Sequence, residues 1–426
     1  MTEVQVLLLA GGKGKRFWPV TGAKPLVNFL GQPLIKHIVK DLHNLGIKDF
    51  KLITSPESEQ KIKNYFGETK IEYFIQEKPL GMADAILKAA KNFSQKPLII
   101  INGDDLLDPK QLAKFLAFCA EKKAEIVLSG KQQHDYFPGG YFELEHGLIK
   151  GVVEKPKPGS EPSKYINLIL HWFKNPQELV EALQKTKSSN DDVYEQSLNL
   201  LAKSKQVELF DYDGYWQPLK YPWHVLRMME LFLEKRLDKN IAVDVNIAKT
   251  ATIEGEVIIE SGVKVLAGAC IKGPAYIGKN SIIGNNVLLR NSMIGSNCVV
   301  GYNSEIARSW VASNCWFHSN YIGDSVIDEN VSFGSGAVTA NLRLDEKEIK
   351  PGVVKLGTII GKNSRIGINA SLMPGILIGK NCFVGPSLVL SQNLESNTSC
   401  FLKQPLLINN NSSQVKINRQ NFREKI

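Results

Sequence analysis

Over residues 253–288 an apolar residue returns at every sixth place, so the segment divides into IEGEVI, IESGVK, VLAGAC, IKGPAY, IGKNSI and IGNNVL. Each hexad opens on Ile or Val, and most carry a small residue at the fifth place. The same frame returns over 360–389 as IGKNSR, IGINAS, LMPGIL, IGKNCF and VGPSLV. One hexad is a short flat strand and a turn, too small to bury its aliphatic residue alone. Successive coils must therefore stack around a continuous interior. The pattern predicts a parallel β-helix over about 246–403, with a non-hexad insertion near 289–293.

The first half follows another rhythm. Residues 4–9 read as an apolar run, the mark of a buried parallel strand, and pass directly into Ala10-Gly11-Gly12-Lys13-Gly14-Lys15-Arg16. An amphipathic helix is predicted from Pro33, strands over 51–54, 71–75 and 97–101, and a long helix over 223–237 that links the halves. Strands alternating with helices imply an α/β fold with a parallel sheet and a ligand crevice at the strands' carboxyl ends. The glycine loop, QEKPLG (76–81) and NGDD (102–105) all fall at such ends. Glycines there let phosphate oxygens approach backbone N–H groups. The loop fits neither the GxGxxG dinucleotide spacing nor the GKS/T ending of ATPases.

Length and charge narrow the ligands. With 426 residues the chain has room for two or three cores. Its net charge of +9 comes from Lys and Arg spread among 43 acids rather than gathered in one block. That distribution points to small polyanions, not to nucleic acid. No leader pattern opens the chain and no apolar run is long enough for a bilayer, so a cytoplasmic protein without membrane contact is expected. The six cysteines lack metal-type spacing. Cys270, Cys298, Cys315 and Cys382 fall at small-residue places of hexads and are expected to be reduced packing residues.

Five segments in order carry a family resemblance: LLAGGKGKR, AKPL, QEKPLG, NGDD and VVEKPKP. They make residues 4–235 similar to the sugar-1-phosphate nucleotidyltransferases, with a Rossmann-like α/β domain. Joined to a hexad coil, the whole chain resembles the archaeal type of bifunctional enzyme that acetylates glucosamine 1-phosphate and then uridylylates it. The resemblance implies a nucleotidyltransferase domain over 1–237, a left-handed β-helix of acetyltransferase type over 238–403, and a polar basic tail over 404–426. Leu9, Ala10, Gly11, Gly12 and Gly14 would cradle a nucleoside triphosphate, with Gln76 and Gly81 reading a pyrimidine base. Arg16 and Lys24 would neutralise phosphate charge, and Asp104 would hold Mg²⁺. Gly140, Glu154, Lys155 and Asn167 would contact the sugar 1-phosphate. Two positions depart from the family pattern. Pro218 stands where a second metal-binding carboxylate belongs, leaving Asp105, Asp213 or water to supply the missing oxygen, and Ile169 replaces a glycine and would crowd the sugar.

In the coil, the resemblance assigns His318 as the base that takes the amine proton during transfer from acetyl-CoA. Tyr321, Asn341, Lys347 and Lys350 would be substrate contacts. Such prisms associate as homotrimers with acyl-CoA sites between neighbours. The first expectation is thus a two-step maker of UDP-N-acetylhexosamine. Two alternatives remain open: a glucose-1-phosphate uridylyl- or thymidylyltransferase whose coil only assembles the oligomer, and a degenerate sugar-nucleotide-binding regulatory subunit. Pyrophosphate release and coenzyme A thiol release separate the three.

Overall fold

The computed structural model describes residues 3–67, 69–122 and 124–412. In the first half, β1 (Gln5–Ala10), β2 (Asp49–Thr54), β3 (Ile71–Ile75) and β4 (Leu98–Asn102) alternate with α1 (Leu34–Asn44), α2 (Pro56–Phe66) and α3 (Gly81–Ala89). After β5 (Asp105–Leu107) and α4 (Pro109–Lys122) come β6 (Ile126–Gln132), β7 (Gly140–Glu145), β8 (Leu148–Glu154) and β9 (Tyr165–Phe173). Helices α5 (Pro176–Lys185) and α6 (Val193–Ala202), strands β10 (Val207–Asp211) and β11 (Trp216–Pro218), and helix α7 (His224–Lys235) complete it. The central sheet runs β3-β2-β1-β4-β9-β6-β10-β8-β7. It is parallel from β3 to β4, but β9 enters antiparallel beside β4, so the sheet is mixed rather than wholly parallel.

Strand β1 is apolar on both faces because both are covered: Val6 and Leu8 join one buried cluster and Leu7 the other. Helix α1 presents Leu34, Ile35, Ile38, Val39 and Leu42 on one buried stripe at helical spacing.

From Asn240 onward the chain winds into three parallel sheets of eight, nine and eight short strands. Three hexads make one turn, so Val265 pairs with Ile283 eighteen residues later. Ile259, Val265, Ile271, Ile277, Ile283 and Leu289 fill the interior. Corner asparagines Asn280, Asn297, Asn314, Asn330, Asn363, Asn381 and Asn397 hold positive φ, a conformation asparagine tolerates. Several bond side chain to side chain up the stack, Asn363 to Asn381 at 3.1 Å and Asn381 to Asn397 at 2.8 Å.

The break near 289–293 is a shortening, not an insertion. Interior positions step by five residues from Leu289 to Ile294, and again from Ile306 to Val311, from Phe317 to Ile322 and from Ile322 to Ile327. A serine stands at three of these four corners, and Asn320 holds the one between Phe317 and Ile322. Ser292, Ser309 and Ser325 each donate to the carbonyl two residues back, and the oxygens of Ser292 and Ser309 accept the N–H of the serine one coil on. Among the cysteines, Cys298, Cys315 and Cys382 are buried at corners as expected, and all six thiols are free. Cys270 differs: it begins an outward strand position and is only half-buried.

One face of the prism is not a surface at all. Its outward residues Tyr276, Met293, Trp310, Val326, Ile359 and Leu377 belong to the same buried cluster as Val27, Phe29 and Phe232 of the first half. Phe29 stacks on Phe232 with centroids 4.8 Å apart and tilts against Trp310 at 6.5 Å. Polar groups in this seam are matched: Trp310 Nε1 donates to Asn28 O at 2.9 Å, and Thr21 donates from N and Oγ1 to Asp328 Oδ2 at 2.9 and 2.8 Å. Of the tail expected over 404–426, residues 404–412 are exposed and without regular structure, and 413–426 lie outside the described residues.

Candidate functional site

At the carboxyl ends of β1 and β4 the chain encloses a cavity of about 900 Å³. Leu9, Ala10, Gly11, Gly12 and Gly14 form one wall, with Arg16, Lys24, Gln76, Gly81, Asp104, Glu154 and Lys155 around it. Gly11 is required by a close approach, since a Cβ there would lie 2.8 Å from Gln76 Oε1. Gly14 sits at φ +60°, where the chain turns into the helical turn Lys15–Phe17. Lys24 opens another such turn and forms an ion pair with Asp104, just beyond β4. Gln76 is buried, and its amide nitrogen donates to Gly81 O at 3.0 Å and Asp84 Oδ2 at 2.9 Å. That nitrogen is spent on holding the start of α3.

The far side of the cavity is lined by Glu154 and Lys155 at the end of β8 and by Tyr194 and Glu195 of α6, while Gly140 of β7 and Asn167 of β9 lie behind Glu154 and are not among the lining residues. Gly140 lies against Glu154 and Asn167, where a Cβ would come within 3.1 Å of Glu154 Oε2 and 3.4 Å of Asn167 Cβ. Lys155 Nζ meets Glu154 Oε1 at 2.6 Å. Behind Asn167 stands a relay that sequence reasoning missed. Asn167 Oδ1 is 2.8 Å from His171 Nε2, and His171 Nδ1 is 2.7 Å from the Tyr194 hydroxyl on the cavity wall. Burial pushes the His171 pKa down to about 3, so this ring is neutral. Its signal was available: residues 167 and 171 lie on one face of a strand. Glu195 also lines the cavity, and burial raises its pKa to about 7, with the Glu154 charge adding to the shift.

A second missed residue is Lys220, which follows β11. Its ammonium donates to Pro138 O at 2.6 Å and lies 4.5 Å from the Phe137 ring centroid. Desolvation, then the charges of Arg16 and Lys155, lower its pKa to about 8.

The two departures resolve differently. Ile169 packs against the apolar cluster that contains Leu128 and Phe142 and is not among the cavity residues, so it does not crowd the pocket. Pro218 pairs with Asp105 across β11 and β5. Asp105 does not replace the lost carboxylate. It is buried against Trp216 Nε1 (3.1 Å) and Asn102 Nδ2 (3.4 Å), and burial with the neighbouring Asp104 charge raises its pKa to about 7. Asp213 is exposed, bonded to Gln111 and paired with Lys114 at 3.5 Å, away from the cavity wall. Among the described residues no three His, Cys, Asp or Glu side chains gather as metal ligands. Asp104 alone remains, a hard oxygen donor beside a phosphate-sized space, which suits a cation that keeps most of its ligands as water and phosphate oxygen.

On the prism, His318 is exposed at the corner between the strands Trp316–Phe317 and Tyr321–Gly323, with its ring 6.4 Å from that of Trp316. Its backbone is fixed, the N–H donating to Asn320 Oδ1 at 2.8 Å and the carbonyl accepting from Ser304 Oγ at 2.9 Å. Tyr321 and Asn341 come together on the adjoining face, hydroxyl to Nδ2 at 3.4 Å. Asn341 also donates to Asp324, which Arg308 grips through Nε and Nη2 at 2.7 and 2.6 Å. Lys347 is exposed, whereas Lys350 lies 5.4 Å over the Trp223 ring in the seam with the first half. The structure therefore unites Tyr321 with Asn341 and sets Lys350 apart from them.

Family models match twice: nucleotidyl transferase over residues 5–219, and bacterial transferase hexapeptide repeats over 256–291 and 357–392. The hexad prism is accordingly a left-handed β-helix. Among curated proteins, the chain is 36% identical over 394 residues to "Bifunctional protein GlmU" of Methanococcus maripaludis strain C7, covering 88% of this chain and 91% of that one. It is 30% identical over 389 residues to the "Bifunctional sugar-1-phosphate nucleotidylyltransferase/acetyltransferase" of Sulfurisphaera tokodaii, covering 88% and 94%. A solved UDP-glucose pyrophosphorylase complexed with UDP-glucose aligns with a TM-score of 0.50 at 20% identity, over 55% of this chain and all of that one, which marks the fold of the first half.

Proposed function

The chain belongs to the family of bifunctional sugar-1-phosphate nucleotidylyltransferase/acetyltransferases, and from that premise we propose that it makes UDP-N-acetylhexosamine in two steps. Acetyl-CoA first acetylates a hexosamine 1-phosphate, and the product then takes a uridylyl group from UTP. The observation that carries the reading is the meeting of the glycine loop, Arg16, Lys24 and Asp104 around one cavity.

In the uridylyl step a phosphate oxygen of the sugar 1-phosphate attacks the α-phosphorus of UTP in line, and pyrophosphate leaves. Positioning and charge do the work. The loop N–H groups hold the triphosphate, Arg16 and Lys24 neutralise its charge, and Glu154 and Asn167 orient the sugar. Mg²⁺, held by Asp104 and phosphate oxygens, would add positive charge to the same place. In the acetyl step the sugar amine attacks the thioester carbonyl, His318 takes the amine proton, and coenzyme A leaves as thiol. Tyr321 and Asn341 hold the acceptor.

We assign the acetyl site to a homotrimer. Trp316 and Phe383 are exposed on the sheet before His318 and Val389 on the sheet after it, with Tyr302 and Ile368 exposed at turns between the two. An apolar strip of this kind seeks cover, and a neighbouring prism would enclose His318. Cytoplasmic residence accords with these substrates. Among the described residues no helix is long and apolar enough to cross a membrane.

The test is to incubate the purified protein with glucosamine or galactosamine 1-phosphate, acetyl-CoA, magnesium, and UTP or dTTP. Thiol release and pyrophosphate release are both expected. Pyrophosphate alone would favour a single-activity enzyme, and neither product would favour a regulatory subunit.

A further inference from the structure

Six cations line the cavity, Lys13, Lys15, Arg16, Lys24, Lys155 and Lys220, and they differ in how they are matched. Lys24 is paired with Asp104 and Lys155 with Glu154. The others line the same space, yet among the described residues none has a carboxylate within ion-pairing distance: Lys13, Lys15 and Arg16 on the glycine loop, and Lys220 after β11. Arg16 belongs to the glycine loop and so to the triphosphate side. Lys220 is tied to the other side. Among the described residues the one hydrogen-bond acceptor of its ammonium is Pro138 O, in the segment that leads into Gly140 at the start of β7.

Its backbone is equally constrained. Leu219 is fully buried and donates to Asp104 O at 3.0 Å, and His224 Nδ1 donates to Pro218 O at 2.7 Å. An ammonium has three N–H donors, and one is used here. Among the described residues no acceptor takes the other two, which lie at the wall of the cavity with Arg16, Lys155, Glu154 and Asp105 as the charged neighbours. A half-desolvated ammonium without a counter-ion is costly to keep unless an anion arrives to meet it.

We propose that Lys220 grips the phosphate of the sugar 1-phosphate, holding the attacking group between the glycine loop and the sugar subsite. The role rests on the nucleotidyl-transfer reading of this cavity and adds a substrate contact that neither the motifs nor the relatives' names assign. It also explains how a centre with Pro218 in place of a carboxylate carries the charge of two approaching phosphates. Dropping one negative group and adding a fixed positive one act in the same direction.

The test is direct binding to the full-length protein by calorimetry, without turnover, for wild type, Lys220→Met and Lys220→Arg. The probes are N-acetylglucosamine 1-phosphate, N-acetylglucosamine and UTP. Losing a charged hydrogen bond should weaken the sugar phosphate by about 10- to 100-fold in Lys220→Met, with UTP and the unphosphorylated sugar within about twofold. Lys220→Arg should recover most of the loss, and where turnover is measured KM for the sugar phosphate should rise with the binding loss. Unchanged sugar-phosphate affinity in Lys220→Met, or an equal loss for UTP, overturns the assignment. Should Lys220→Met not fold, Lys220→Gln gives the same comparison. A wild type that binds the sugar phosphate through Lys220 yet releases no pyrophosphate sinks the proposed reaction, not this contact.

Discussion

At the sheet, one chain supplies every wall: the glycine loop, Gln76, Glu154, Tyr194 and Lys220 close around a single cavity. At the prism corner, His318 stands exposed beside Trp316, and Tyr321 and Asn341 face outward on the next side. Enclosure changes chemistry as well as shape. Within the cavity region burial moves Glu195 up to about 7 and Lys220 down to about 8, whereas the corner leaves its catalytic candidate exposed to solvent, for a second copy to cover in the proposed trimer. A centre completed inside one chain depends on folding, and a centre completed between chains depends on concentration.

That contrast can be broken from either end. Asp104→Ala should lower uridylyl transfer by about 1,000-fold and His318→Ala should lower acetyl transfer by about 100-fold. Each should leave the other rate unchanged in coupled assays of pyrophosphate and thiol. Equal loss of both rates in either variant would mean that the two regions are not separate centres.

A milder perturbation uses the corner itself. Placing a charge there with Trp316→Glu should dissociate the oligomer in light scattering. Acetyl transfer should fall by about 10-fold and recover at higher protein concentration, with uridylyl transfer unaffected. A dissociated protein with full acetyl activity would show that one prism suffices.

The smallest expected effect sharpens the enclosed side. Glu195 has a folded pKa of about 7, above its ordinary 4.5. Its contribution to stability is therefore full below about pH 4.5 and is lost as the pH rises through 7. Glu195→Gln should gain about 2–4 °C in Tm on the wild type between pH 5 and pH 8. Parallel melting curves for the two proteins across that range would remove the assignment.

The two regions also differed in how plainly they could be read. Hexads announce a prism because every coil repeats the same demand, an inward aliphatic at Ile277, Ile283 and Leu289 and a small group at the corner. The tightened corner near 289–293 reads as an insertion because a five-residue step breaks the hexad phase as an added residue would, and the serine side chains that bind the shortened turns, as at Ser309, leave no mark in the apolar pattern. The docked face escaped notice, although paired apolar residues such as Tyr276-Ile277, Trp310-Val311 and Leu377-Ile378 signal burial on both sides of a strand. In the sheet half, the glycine loop and Asp104 were legible because each follows a strand directly. Lys220 and Tyr194 were not, since only the fold brings residues so distant in the chain to one wall.

The docked face carries a consequence for how the molecule can be divided. Enzymes fused end to end are commonly treated as cassettes, to be expressed or exchanged separately. Here scission after Lys235 would strip cover from Phe29 and Phe232 on one fragment and from Tyr276, Trp310 and Leu377 on the other. Neither fragment would inherit a finished exterior, so this pair of activities travels as one inheritance.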